Sequence, residues 1–143
     1  MSISLRERIY EIYNAFSAGD LDSLSDMFDE HVDFRSNAPR EVFPYLGRLL
    51  GRAAVMQGIA EIHREFDSIA FVPLRIVADE DQSAGIIVSI QLRQRATGRT
   101  IRLFAAHFLR FQENRIIEYR ALLDTLEAVQ QVLGREINFG EAR

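Results

Sequence analysis

The residue best suited to chemistry in this sequence is His107, which lies in the apolar run of residues 100–112. If this run is a strand, its side chains alternate, and the face that carries His107 is otherwise apolar. That face consists of Ile101, Leu103, Ala105, His107, Leu109 and Phe111. A neutral imidazole, with a pKa of about 6.5, accepts or donates a proton near neutral pH. We therefore predict that His107 points into an apolar pocket, either as a catalytic acid–base group or as a buried histidine satisfied by a hydrogen bond.

Two tyrosines are the expected partners of His107. Tyr13 lies on the apolar face of the first predicted helix, and Tyr119 lies on the inward side of the last predicted strand. Their hydroxyls could orient a ligand carbonyl, or their rings could simply pack in the core. Ser36 could bind a polar ligand group or form a turn. The predicted pocket lining comprises Tyr13, Phe16, Phe34, Ser36, Tyr45, His107, Leu109, Tyr119 and Ala121.

Other titratable residues are expected in structural or solvated positions. Strand alternation turns Asp33 away from the pocket if Phe34 faces it. Asp124 has the sequence position of a helix N-cap. His31 and His63 lie among charged residues and are expected to be solvated. No metal-ligand spacing and no glycine-rich phosphate loop is present, so we predict neither a metal nor a cofactor.

Length and composition predict a single domain over residues 1–143, because 48% hydrophobic residues are enough to build a core. The 17 basic and 21 acidic residues are mixed along the chain, which argues against nucleic acid as a partner. The chain has no cysteine, so it forms no disulfide, and a cytoplasmic location is expected. No apolar stretch resembles a signal peptide or a membrane span, so no membrane partner is expected.

Helix and strand patterns follow one another in a clear order. Residues 37–51 contain two prolines and two glycines yet are strongly apolar, so we predict a flap over a pocket or partner. Hereafter the term flap denotes residues 37–51. The predicted helices are residues 4–19, 20–28, 53–66 and 125–133, and the predicted strands are residues 31–36, 69–78, 83–95, 100–112 and 115–123.

The strand at residues 100–112 is apolar on both faces, since Phe104 and Phe108 lie opposite the His107 face. Two largely apolar faces indicate that both are covered. Helices can cover one of them. We therefore expect a homodimer in which a second subunit covers the outer sheet face.

Several segments resemble a known family. They are Ser-Ala-Gly-Asp-Leu-Asp at residues 17–22, residues 107–111, and the closing residues 116–119 and 130–134. In these segments the sequence resembles the nuclear transport factor 2-like superfamily, and more narrowly the ketosteroid isomerases and SnoaL-type polyketide cyclases. The resemblance implies an α+β fold, in which a curved, mainly antiparallel sheet forms a cone-shaped barrel. That sheet is expected to pack on N-terminal helices and enclose an apolar pocket.

The resemblance also implies positions for catalytic groups. The tyrosine, general-base aspartate and protonated aspartic acid of ketosteroid isomerases fall on Ile12, Ser36 and His107. Serine without a partner base cannot shuttle a proton between carbons, so that mechanism is not expected here. In SnoaL-type cyclases the catalytic histidine falls on His107, but the aspartate falls on Ala121. The cyclase acid–base group is therefore missing, unless another carboxylate reaches the pocket.

Together these features predict a domain that binds a small apolar or aromatic molecule. If it is an enzyme, we expect cofactor-independent proton transfer, as in an isomerase, cyclase or lyase, with His107 as acid–base and a tyrosine assisting. The replaced carboxylates favour the alternative of a non-catalytic ligand-binding domain. A third alternative is a protein-interaction domain that uses the outer sheet face around Phe104 and Phe108.

Overall fold

The computed structural model describes residues 3–79, 81–138 and 140, and it confirms the predicted α+β class. In chain order its elements are α1 (Leu5–Ala18), α2 (Leu21–Asp26), β1 (Phe28–Ser36), β2 (Arg48–Leu50), α3 (Arg52–Glu65), β3 (Phe66–Ala78), β4 (Ser83–Gln94), β5 (Thr100–Gln112), β6 (Arg115–Leu123) and α4 (Thr125–Leu133). None of the helices in this described part is long and apolar enough to cross a membrane.

The six strands form one curved sheet in the order β2-β1-β6-β5-β4-β3. All neighbouring strands are antiparallel except β1 and β6, which are parallel. The sheet is not closed, because β2 and β3 remain as its two edges. Curvature nevertheless gives it a concave face on which the helices pack, so the side chains of that face enclose the core.

Helix α1 begins and ends where its sequence signals lie. The Ser4 side chain accepts a hydrogen bond from the Glu7 backbone N–H, and Gly19 ends the helix with a φ of 73°. The apolar face of the helix is buried against the sheet, and it comprises Ile9, Ile12, Tyr13 and Ala15. Helical periodicity therefore directs Tyr13 toward the inner face of β5.

The two faces of β5 differ completely in burial within one copy of the chain. Every second residue from Ile101 to Phe111 is buried, and the residues between them are exposed. Phe104 is 68% exposed and Phe108 is 41% exposed. The helices thus cover one apolar face, as expected, and the other face remains open in the single chain.

Helix α4 supplies hydrogen bonds to the start of β5, where β6 does not reach. The β5–β6 ladder reaches only the pair Ala105–Leu123, so β6 does not extend to the start of β5. There the Gln131 side chain accepts a hydrogen bond from the Arg102 N–H at 2.7 Å and donates one to the Arg102 carbonyl at 2.8 Å. One amide side chain takes the place of a neighbouring strand.

Some element bounds differ from the predicted ones. Strands β1 and β3 begin three residues earlier than the patterns indicate. A bulge that includes Ser68, whose φ is 51°, interrupts the pairing of β3 between Asp67 and Ala70, and this obscures the alternation at the start of the strand. Strand β2 lies inside the flap, where no strand was predicted, because its three residues form a strand only through pairing with β1.

Candidate functional site

An apolar cavity of about 100 Å³ lies between the concave face of the sheet, helices α1 and α3, and the flap. Its lining is aliphatic and phenylalanine side chains, apart from four polar residues. These are Tyr13, Ser36, His107 and Tyr119. Among the described residues, none that lines the cavity carries a charged side chain. Any polar recognition in this space therefore depends on those four groups.

His107 is buried, with 5% of its surface exposed, and two tyrosine hydroxyls meet at the same ring nitrogen. The Tyr13 Oη lies 2.6 Å from Nδ1, and the Tyr119 Oη lies 2.9 Å from it. Three elements supply the cluster, namely α1, β5 and β6. Each side chain faces the cavity because of the helical or strand period of its own element.

The cluster is uncharged at neutral pH. Burial lowers the pKa of His107 to about 3. Burial also raises the pKa values of the Tyr13 and Tyr119 phenols above their ordinary value, and the two phenols interact with each other. The imidazole is therefore a weak base, and the tyrosines are weak acids.

The number of protons on the cluster determines which hydrogen-bond donors and acceptors face the cavity. A neutral imidazole has either a proton or a single lone pair at Nδ1, so only one hydroxyl can donate to it well. The fewest polar groups remain unpaired when one tyrosine donates to Nδ1 and the other donates to the first tyrosine oxygen. The His107 proton then lies on Nε2, which forms no hydrogen bond with any residue in the described part of the chain. In this arrangement the cluster offers the cavity one N–H donor.

Ser36 lies on the same row of the sheet as His107. Ser36 of β1 pairs with Ala121 of β6, which in turn pairs with His107 of β5. The Ser36 hydroxyl accepts a hydrogen bond from the Ala38 N–H at 3.0 Å, so it forms a turn and also lines the cavity. The methyl group of Ala121 leaves the space between the two polar side chains open.

Seven of the nine residues predicted to line the pocket surround this cavity. They are Tyr13, Phe16, Phe34, Ser36, His107, Tyr119 and Ala121. Tyr45 lies outside this lining, because its hydroxyl donates to Glu65 on α3 at 2.9 Å and its ring packs edge to face with Phe43. Leu109 is also wrongly assigned, because it is fully buried in the core and is not part of the cavity lining.

Further lining residues come from α3, whose pattern predicted only an apolar face, and from the flap, which was predicted to lie over a pocket or partner. Helix α3 contributes Val55, Ile59 and Ile62, and the flap contributes Leu46 and Leu49. The apolar stripe of α3 is visible in the sequence, but helical spacing alone does not separate cavity from core. The part of α3 that faces the flap therefore forms one wall of the cavity.

The expectation that His63 is solvated is wrong. Its ring lies edge to face with Phe16 at a centroid distance of 5.3 Å, and its Nε2 is buried without a partner in the described part of the chain. Burial lowers the pKa of His63, while the nearby Phe16 carbonyl opposes that shift. The side chain is placed there because α3 ends beside the end of α1, which charge patterning around His63 does not reveal.

The flap approaches α3 closely at Gly58. A Cβ at this position would lie 2.9 Å from the Leu49 Cδ1 and 3.2 Å from the Tyr45 carbonyl oxygen. Glycine inside a helix normally costs about 1 kcal/mol relative to alanine. Glycine is therefore suited to this position of α3 because the flap lies too close for a side chain.

The substitution Gly58→Ala is expected to lower the free energy of unfolding by about 1–2 kcal/mol, although alanine favours helix, because the flap must move away from α3. Urea unfolding followed by circular dichroism measures the effect. In a Leu49→Val background, which lacks the clashing Cδ1, the same substitution should cost less. A gain in stability from Gly58→Ala in the unmodified chain would contradict the packing described here.

Comparison with known proteins yields a family model described as SnoaL-like domain, which matches residues 9–119. No curated protein matches the chain in sequence. A similar solved structure is a candidate isomerase from Rhodopseudomonas palustris, which is 28% identical. It has a TM-score of 0.83 and covers 94% of this chain and 100% of its own.

Two more distant structures share the fold. A candidate polyketide cyclase from Pseudomonas putida is 17% identical with a TM-score of 0.79, over 91% of this chain and 98% of its own. A Catenulispora acidiphila protein with a ketosteroid isomerase-like fold, solved in complex with trimethylamine, is 12% identical with a TM-score of 0.75. That match covers 87% of this chain and 91% of the other.

Proposed function

We propose that this chain, which belongs to the SnoaL-like domain family, binds a small apolar or aromatic molecule in the cavity around His107. The observation that carries the proposal is the Nε2 atom of His107. It belongs to a buried side chain that lines an apolar cavity, and it forms no hydrogen bond with the described residues. Because this nitrogen has no hydrogen-bond partner among the described residues and its ring lines the cavity, a polar group of a ligand is the fitting partner.

The chemistry of the cluster supports binding more strongly than proton transfer. An efficient general base has a pKa near the working pH, whereas that of His107 is lowered to about 3. Proton donation by Tyr13 or Tyr119 would leave a buried phenolate, which their raised pKa values disfavour. A neutral Nε2–H can still donate a hydrogen bond to a ligand carbonyl and hold it in one orientation.

The second candidate function is a cofactor-independent isomerase, which the likeness to the Rhodopseudomonas palustris candidate isomerase favours. It requires the other proton arrangement, in which Nδ1–H donates to a tyrosine oxygen and the Nε2 lone pair faces the ligand. Nε2 would then take a proton from a carbon beside a carbonyl and return it to another carbon. A tyrosine hydroxyl would hydrogen-bond the carbonyl oxygen during this transfer.

One experiment tests both functions. A panel of small cyclic ketones and phenols is added in D₂O, and saturation-transfer NMR reports binding while loss of α-proton signals reports exchange. Binding is expected with the unmodified chain and should weaken about tenfold or more in His107→Leu, because its hydrogen bond is lost. The matched control His31→Leu replaces an exposed histidine and should change nothing.

Exchange that depends on His107 would favour the isomerase, and binding without exchange would favour the ligand-binding domain. If no member of the panel binds the unmodified chain, or if His107→Leu binds equally well, the proposed role of the cavity is wrong.

The proposal also includes a homodimer formed through the outer sheet face. Among the described residues, seven large apolar residues are exposed on strands β3 to β6, and most of them lie on neighbouring positions of this face. They are Val72, Leu74, Val77, Ile87, Phe104, Phe108 and Leu122. Ala106 joins two of them, since it pairs with both Ile87 and Leu122. Apolar patches of this kind usually mark an interface. We place this dimer in the cytoplasm, in keeping with the cysteine-free sequence.

A further inference from the structure

Building on the binding function proposed above, we infer that the ligand is a neutral molecule about the size of a five-membered ring that carries two oxygen groups. One oxygen group would accept a hydrogen bond from His107, and the other would hydrogen-bond Ser36. Three features of the cavity support this inference, namely its uncharged lining, its volume, and the distance between its two polar ends.

The lining excludes charged ligands. Its described residues include no Asp, Glu, Lys or Arg, and the one titratable imidazole is neutral. A buried carboxylate or ammonium group would lose its hydration without gaining an opposite charge. A neutral carbonyl or hydroxyl group loses far less and can be satisfied by a single hydrogen bond.

The volume excludes polycyclic ligands from the cavity as it stands. At about 100 Å³ it is of the same order as the cavity of about 150 Å³ that holds one benzene molecule in an engineered protein. Pockets for drug-sized ligands measure about 300 Å³ or more. The cavity as it stands therefore holds a single small ring at most, and a ring of five carbon atoms with one or two oxygen atoms is at this limit.

The row Ser36–Ala121–His107 gives the cavity two polar ends. Because adjacent strands lie about 4.8 Å apart, the Cα atoms of Ser36 and His107 are separated by about 10 Å across Ala121. The imidazole and the hydroxyl extend into the space over the Ala121 methyl group. The Ser36 hydroxyl already accepts one backbone hydrogen bond, so its proton and second lone pair remain for a ligand.

The inference is tested with three probes of related shape, namely 3-hydroxycyclopentanone, cyclopentanone and 3-oxocyclopentanecarboxylate, by NMR titration of the full chain. The hydroxyketone is expected to bind about tenfold more tightly than cyclopentanone, since it gains one hydrogen bond. The carboxylate is expected to bind at least about 100-fold more weakly than cyclopentanone. The Ser36→Ala variant should remove the hydroxyketone preference, so that the hydroxyketone and cyclopentanone bind with similar affinity.

Ser89→Ala is the matched control, because Ser89 lies on a strand but outside the cavity lining, and it should keep the preference. If Ser36→Ala keeps the preference, the second anchor is refuted. If the carboxylate binds as tightly as cyclopentanone, the neutral-ligand inference is refuted. If larger ketones bind in a way that depends on His107 but none of these three probes binds, the inferred ligand size is refuted and the proposed binding function stands. If no ketone of any size binds, the binding function itself is wrong.

Discussion

Acidification from pH 6.5 to pH 4 is expected to lower the free energy of unfolding by about 1.4 kcal/mol per pH unit through His107 alone. Burial lowers the pKa of this imidazole from 6.5 to about 3 in the folded chain, while the unfolded side chain keeps its ordinary pKa. The unfolded state therefore binds a proton that the folded state does not. The stabilisation is complete above about pH 6.5 and is lost progressively as the pH falls toward 3, by about 4–5 kcal/mol in total.

Urea unfolding at pH 7, 6, 5 and 4, followed by circular dichroism, measures this dependence. Protonation of carboxylates contributes as well, so the informative quantity is the difference between the unmodified chain and His107→Gln, which cannot titrate. The unmodified chain should lose stability more steeply, by about 1.4 kcal/mol per pH unit. His63→Gln is the control. Burial also lowers the pKa of His63, but His107 still titrates in this variant, so its stability should still fall steeply as the pH falls. Parallel curves for the unmodified chain and His107→Gln would show that His107 is solvated or charged.

The substitution Phe104→Asp is expected to weaken the proposed dimer at least about 100-fold. Phe104 is 68% exposed in the single chain, so the change removes little packing within one copy. In a two-fold interface the change occurs twice, and each copy replaces buried apolar area with a carboxylate. Sedimentation velocity from 1 to 100 µM protein would follow the shift from dimer to monomer.

Tyr10→Asp is the matched control for this experiment. Tyr10 is 45% exposed, but it lies on α1, away from the outer sheet face, so its substitution should leave the dimer intact. Circular dichroism would establish whether both variants fold. A monomeric unmodified chain at 100 µM would refute the dimer and favour a different protein partner for this face. A Phe104→Asp variant that remains dimeric would place the interface elsewhere.

The sequence predicts the fold well where local periodicity decides the structure. Alternation within β5 places His107 and Phe104 on opposite faces, as the structure has them. Capping signals at Ser4 and Asp124 mark helix starts that the structure reproduces. The resemblance to the nuclear transport factor 2-like superfamily is confirmed by the family match and the structural neighbours.

The sequence predicts less where distant contacts decide the structure. Tyr45 turns toward Glu65, a residue 20 positions away, and no local pattern indicates that contact. His107 and Leu109 share one face of β5, yet only His107 lines the cavity, because Leu109 is completely buried in the core cluster. Alternation identifies which face is inside, but the packing of other elements determines where that interior stays open.

The hydrogen bonds between Gln131 and Arg102 have a consequence for the behaviour of the chain in a crowded solution. A strand edge with free N–H and C=O groups is a template on which another polypeptide can add a strand and start an aggregate. The start of β5 would be such an edge, since β6 stops short of it. With both backbone groups of Arg102 occupied by one side chain, α4 protects the sheet against intermolecular strand addition at this position.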